Sequence, residues 1–215
     1  MKRIIGPAFI ALLLSLGTAR ANSVNYVLNQ PFQNGAPTLP QGDSPEATIA
    51  DFALNTVQVT MIAKPFDDNI TEFYFNIDPA LMGGISLASF TYVSGPTASS
   101  IDFGEDGYNA DGDGLYDIKF NWPNTGTGVF NNSTSPVVYY ITCTGCTADS
   151  FNFSSTHQGG QGEFFSAAKI TTASAGVNFV GAGSTSVVPE PASLLLLGSG
   201  LAGLGGWRRY RGKRA

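Results

Sequence analysis

Apolar and polar positions alternate in short runs through the middle of the chain, and no long stretch there repeats at the 3.6-residue period of a helix. Ile49 to Ala63, Ile70 to Ile77, Ser86 to Val93 and Leu115 to Trp122 set Val, Ile, Phe or Leu against polar neighbours, and Val137 to Thr142, Ser150 to Phe153, Glu163 to Thr171 and Val177 to Val187 follow. Such runs, bounded by Gly, Pro, Asn and Asp, predict about eight strands. An amphipathic sheet must cover its apolar face, so residues 46–187 read as an all-β, antiparallel β-sandwich. Pro79-Ala80-Leu81-Met82 fits a single helical turn. Residues 22–45, rich in Asn, Gln, Pro and Gly, read as an extended lead-in. Phe52, Phe73, Phe75, Phe90, Phe120, Trp122, Tyr140, Phe151, Phe153 and Phe165 fall in the runs and are expected to pack the core.

At both ends the alternation gives way to continuous apolar sequence, predicting a flanking hydrophobic helix on each side. Met1-Lys2-Arg3, the apolar run Ile4 to Leu16 and Gly17-Thr18-Ala19-Arg20-Ala21 have the layout of a secretory signal peptide over residues 1–21. Ala19 and Ala21 supply the small side chains that signal peptidase accepts, so Sec-type export and cleavage after Ala21 are expected. The run is short against the roughly 20 residues of a spanning helix. Residues 188–215 hold three parts in order: Val188-Pro189-Glu190-Pro191-Ala192, an apolar stretch from Ser193 to Trp207, and a basic end with Arg208, Arg209, Arg211, Lys213 and Arg214. The prolines deny the first part a helix. The apolar part is near the lower limit for crossing a bilayer, and the five cations stop transfer and stay cytoplasmic.

Pro189-Glu190-Pro191, the Gly-rich apolar stretch and the Arg cluster resemble the C-terminal sorting signal of PEP-CTERM proteins of Gram-negative, exopolysaccharide-making bacteria. The resemblance implies recognition by exosortase, an integral-membrane transpeptidase, and transient anchoring in the inner membrane. Release or transfer to the cell surface or matrix then follows. Phe73-Tyr74-Phe75-Asn76-Ile77-Asp78-Pro79, the segment from Asn109 to Phe120 and the segment from Gly159 to Lys169 are similar to blocks found together in a PEP-CTERM group of unassigned activity. That second likeness implies one extracellular domain and transfers no catalytic residue.

Charge changes the picture once the ends are set aside. The whole chain is formally −5, but residues 22–187 keep only Lys64, Lys119 and Lys169 against 15 acids, close to −12. Such a domain repels nucleic acid and other anionic polymers and attracts divalent cations. Oxygen donors at Asn109, Asp111 and Asp113 before Gly114 match the first half of a calcium loop. An EF-hand is excluded because its bidentate Glu position is Phe120, leaving a looser extracellular loop that Asp117, Asp106 or Glu105 would close. The alternative is a solvated Asp-Gly hairpin turn. Cys143-Thr144-Gly145-Cys146, exported to an oxidising compartment, is expected to close a short disulfide. His157 is the one histidine, placed in a polar surface loop, and no Gly-x-Ser-x-Gly elbow accompanies it.

These readings converge on an exported, non-catalytic surface or extracellular-matrix protein, processed by exosortase and associated with exopolysaccharide, with calcium as a candidate cofactor. The alternative is a carbohydrate-binding module, which requires aromatic side chains exposed together on one sheet face. A glycoside hydrolase would require two carboxyls at catalytic separation in a pocket.

Overall fold

The computed structural model describes residues 22–32, 41–64, 69–157, 163–172 and 176–189. The signal segment, Glu190, Pro191, the apolar stretch and the basic end lie outside the described residues, as do the two flanking helices. Thirteen strands are present among the described residues, more than the eight expected. They are β1 (Asn22–Val27), β2 (Gln30–Pro31), β3 (Glu46–Ala53), β4 (Thr56–Ile62), β5 (Asn69–Phe75), β6 (Phe90–Ser94), β7 (Ser100–Asn109), β8 (Gly114–Asn121), β9 (Val137–Thr142), β10 (Thr156–His157), β11 (Ser166–Thr172), β12 (Gly176–Ala182) and β13 (Thr185–Pro189). One α-helical turn, α1 (Pro79–Met82), is capped by the Asp78 side chain, which accepts from the Ala80 amide at 2.9 Å. It stands where Pro79 and the apolar pair Leu81 and Met82 predicted it.

All strand pairs are antiparallel and form two sheets. The first has the order β13-β1-β3-β4-β9-β6, and the second β10-β8-β5-β11-β12-β2 with β7 also paired to β8. Each sheet turns alternate residues inward, giving the layered architecture that the alternation demanded. Val24, Ile49, Val57, Val59, Met61 and Ile141 from the first sheet share one buried cluster with Phe73, Phe75, Ile118 and Phe120 from the second. Rings meet across the layers: Tyr26 lies edge-on to Phe75 at 5.9 Å between centroids, and Tyr139 lies 5.2 Å from Phe120. A smaller cluster of Phe32, Tyr74, Tyr116, Phe164 and Phe179 forms separately. The Phe164 and Phe32 rings come so close to Gly181 that an added Cβ would lie 2.6 and 2.7 Å from them, so only glycine fits there.

Several elements depart from the sequence reading. The lead-in carries a full strand, β1, whose Val24 and Tyr26 are buried in the main core and which sits between β13 and β3. The single run Ile49 to Ala63 is a hairpin of β3 and β4, broken at Asn55, whose φ of 61° gives the left-handed turn that asparagine tolerates. Ser150 to Phe153 is no strand; Ala148–Phe151 makes a 3-10 turn, closed by the Thr147 and Ser150 hydroxyls. The Val177 to Val187 run is divided between β12 and β13. Of the aromatics assigned to the core, Phe73, Phe75, Phe120, Trp122 and Phe151 are buried, whereas Phe52 and Phe153 are exposed.

Candidate functional site

Three places in the fold carry the residues that the sequence singled out. The first is the junction with the tail. β13 is an edge strand, and β1 pairs with it over five residues, from Tyr26 opposite Thr185 to Asn22 opposite Pro189. The first proline of Pro189-Glu190-Pro191 therefore stands directly across from the first residue of the domain. Proline lacks a donor and is tolerated on an edge strand, where its missing N–H costs least. Asn22 is held in turn, its backbone N–H donating to the Asp51 carboxylate at 2.9 Å and its side-chain amide to Asp149 at 2.9 Å. Nothing in the composition of residues 22–45 signals this pairing except the alternation of Val24, Tyr26 and Leu28, all buried.

The second place is the acidic segment. β7 and β8 form a hairpin in which Tyr108 pairs with Tyr116 and Asn109 with Leu115. Asn109 Oδ1 accepts from the Gly112 amide at 2.5 Å, Asp111 takes a φ of 52°, and Gly112 follows at 84°. Between Phe103, opposite Ile118, and Tyr108, opposite Tyr116, four residues of β7 face the single residue Asp117. Asp117 is buried. One carboxylate oxygen accepts from the Asp106 amide at 2.8 Å, the other from the Ile77 amide at 3.0 Å. Burial outweighs these bonds and pushes its pKa up, with the Asp106 and Glu105 charges adding to the rise. The structure thus gathers Asn109, Asp111 and Asp113 around one turn and turns Asp117 toward the backbone of the bulge and of Ile77. Among the described residues no group of three or more His, Cys, Asp or Glu side chains is arranged to hold a metal ion.

The third place is the cysteine turn after β9. Cys143 and Cys146 are joined as a disulfide with their Cα atoms 5.2 Å apart. The turn is stitched to the β3–β4 hairpin: the Cys143 amide donates to the Asn55 carbonyl at 3.1 Å and the Gly145 amide to Asn55 Oδ1 at 3.0 Å. His157 lies in β10, its backbone paired with Gly114.

An open cleft of about 530 Å³ is lined by Gly95, Pro96, Gly126, Gly128, Val129, Asn131 and Thr134, none of them titratable. Each of the three lysines of the domain is drawn to an acid: Lys64 to Glu46 at 3.1 Å, Lys119 to Asp102 at 3.5 Å and Lys169 to Glu72 at 2.7 Å. No lysine is left to offset the remaining carboxylates.

Comparison with known families finds one match: residues 187–209 fit the PEP-CTERM protein-sorting motif. No curated protein and no solved structure matches the chain. The match begins inside β13, so the sorting motif starts within the folded sheet. The motif indicates export with a C-terminal, membrane-anchored sorting signal and implies processing by exosortase.

Proposed function

With the PEP-CTERM sorting motif as premise, we propose that this protein is a non-catalytic component of the cell surface or extracellular matrix, where it associates with exopolysaccharide after exosortase has processed its tail. The observation that carries the proposal is the motif at residues 187–209, continuous with the last strand of a β-sandwich domain. The domain's imbalance of acids over lysines suits a soluble matrix component, because like charge keeps copies apart. Replacing Pro189, Glu190 and Pro191 together by Ala tests the sorting step. The expected result is an uncut chain retained in the membrane fraction, and normal processing of that variant would refute it.

The alternative reading is a carbohydrate-binding module of the matrix. One feature favours it: Phe52 stacks on Tyr140 with ring centroids 4.2 Å apart, with Gln58 of β4 opposite Tyr140 and Thr142 two residues further along β9. Binding of neutral polysaccharide that Tyr140→Ala abolishes would establish it. Calcium rests on the spacing of Asn109, Asp111 and Asp113 alone. A bound ion raises the Tm of the processed protein, and Asp111→Ala with Asp113→Ala removes the rise. An unchanged Tm on calcium addition disposes of that element of the reading.

A further inference from the structure

The strands of the first sheet alternate in direction, so one end of it collects a defined set of chain segments. β1 enters there at Asn22 and β13 leaves there at Pro189. The β3–β4 hairpin turns there through Leu54 and Asn55, since Ser23 pairs with Ala50 and Ala53 with Thr56. β9 ends there, with Thr142 opposite Thr56, and β6 starts there, with Phe90 opposite Ile141. The 3-10 turn Leu87–Ser89 leads directly into β6.

This end is also where apolar side chains stand in solvent. Among the described residues the three most exposed large hydrophobics are Leu54 at 91%, Leu87 at 65% and Phe52 at 54%, and all three belong to it. Leu54 and Leu87 pack against neither core cluster, and Phe52 is held by its stack on Tyr140. The left-handed turn is supplied by Asn55, so a polar residue at position 54 would serve the hairpin equally, and Leu54 adds nothing to the core. The turns themselves, Ala53-Leu54-Asn55 and Thr144-Gly145, are uncharged in a strongly acidic domain. Two carboxylates at the chain entrance, Asp51 and Asp149, accept hydrogen bonds from Asn22, and Asp51 also from the Ala148 amide at 2.6 Å.

The 26 residues that follow Pro189 hold the membrane-anchored signal, and the chain passes into them from this same end. Adjacent strands lie about 5 Å apart, so the hairpin tip sits on the order of 10–15 Å from the point of exit. We infer that this end of the first sheet rests on the membrane before processing, with Leu54, Leu87 and Phe52 seated in the interfacial region of the phospholipid bilayer. The inference rests on the sorting reading, since the anchor brings the domain to the membrane. Exposed Leu and Phe on an uncharged tip partition into the headgroup–acyl boundary, and tethering makes that contact intramolecular, so a few side chains suffice. Processing of the tail removes the tether and lets the weak contact go.

The test uses the full chain, purified from membranes of cells lacking exosortase. It is reconstituted in vesicles of phosphatidylethanolamine and phosphatidylglycerol, with or without brominated acyl chains. Leu54→Trp and Leu87→Trp are read as differences from the parent, whose Trp122 and Trp207 supply the background. Thr127→Trp is the reference for the far end, because Thr127 is exposed beside Gly126 and Gly128, which line a cleft with Gly95 just beyond the other end of β6. The expected result is bromolipid quenching at positions 54 and 87 at least about twofold greater than at 127. Quenching equal to that at 127 overturns the inference. Blue-shifted emission without quenching also overturns it and assigns the tip to a second copy or another protein. Flotation with the vesicles is measured on the same samples: a chain that fails to float overturns the anchor reading itself, whereas a floating chain with an unquenched tip leaves sorting intact.

Discussion

Asp117 faces four residues of β7 at once, and its carboxylate replaces the ladder bonds that this bulge interrupts. Removing it in Asp117→Ala leaves the buried Ile77 amide and the part-buried Asp106 amide without their acceptor, an expected loss of about 2 kcal/mol in urea unfolding. Asp117→Asn keeps one acceptor and is expected to lose less. The sign of the pH effect follows from the raised pKa. The folded state holds the proton more tightly than the unfolded chain, whose carboxyl titrates near 3.8, so this residue's contribution is complete below that value and is lost as pH rises through the folded pKa. The descending limb is expected to flatten in Asp117→Asn, read from denaturant midpoints across acid pH. As a residue type Asp117 was legible as an oxygen donor four positions after Asp113. What it faces was not legible, because the bulge that aims it depends on the register of β7 against β8.

Among the elements, β9 was found end to end, and β5 and β8 to within two residues. In β8 inward Tyr116, Ile118 and Phe120 alternate with polar residues, the signal on which period-two reading depends, whereas β5 and β9 stand out as short runs of β-branched and aromatic residues. β7 was hidden because Gly104, Glu105, Asp106 and Gly107 are poor strand formers; pairing with β8 on both sides of the bulge imposes the strand. β1 was hidden by its asparagines, although its position between β13 and β3 makes it integral to the sheet. Val24→Asp, which places a charge at a fully buried site of that strand, is expected to cost more than about 4 kcal/mol and to leave the chain protease-sensitive. The cysteine turn is expected to add little. A disulfide closing so short a loop contributes about 2 kcal/mol on chain-entropy grounds. Reductant should therefore lower the denaturant midpoint modestly and leave the strand signal in circular dichroism intact.

For the whole molecule, the two-sheet architecture was legible because strand periodicity and scarce charge both excluded a helical core. The tail was legible from its three ordered parts. The acidic balance emerged only when residues 22–187 were counted without the basic ends. With three lysines against 15 acids, mutual repulsion opposes compaction, and the processed domain is expected to melt several degrees higher at ~150 mM than at ~10 mM salt, measured by scanning calorimetry. The join between β1 and β13 has a mechanical side as well. While the tail remains in the bilayer, flow or jostling in the envelope pulls on Pro189, and a tug directed outward from that end runs along the axis of β13. All five paired positions, from Asn22 opposite Pro189 to Tyr26 opposite Thr185, then bear the force together in shear instead of peeling apart in succession. The strand that delivers the domain to its processing enzyme is thereby also the part best placed to withstand the strain of being moored.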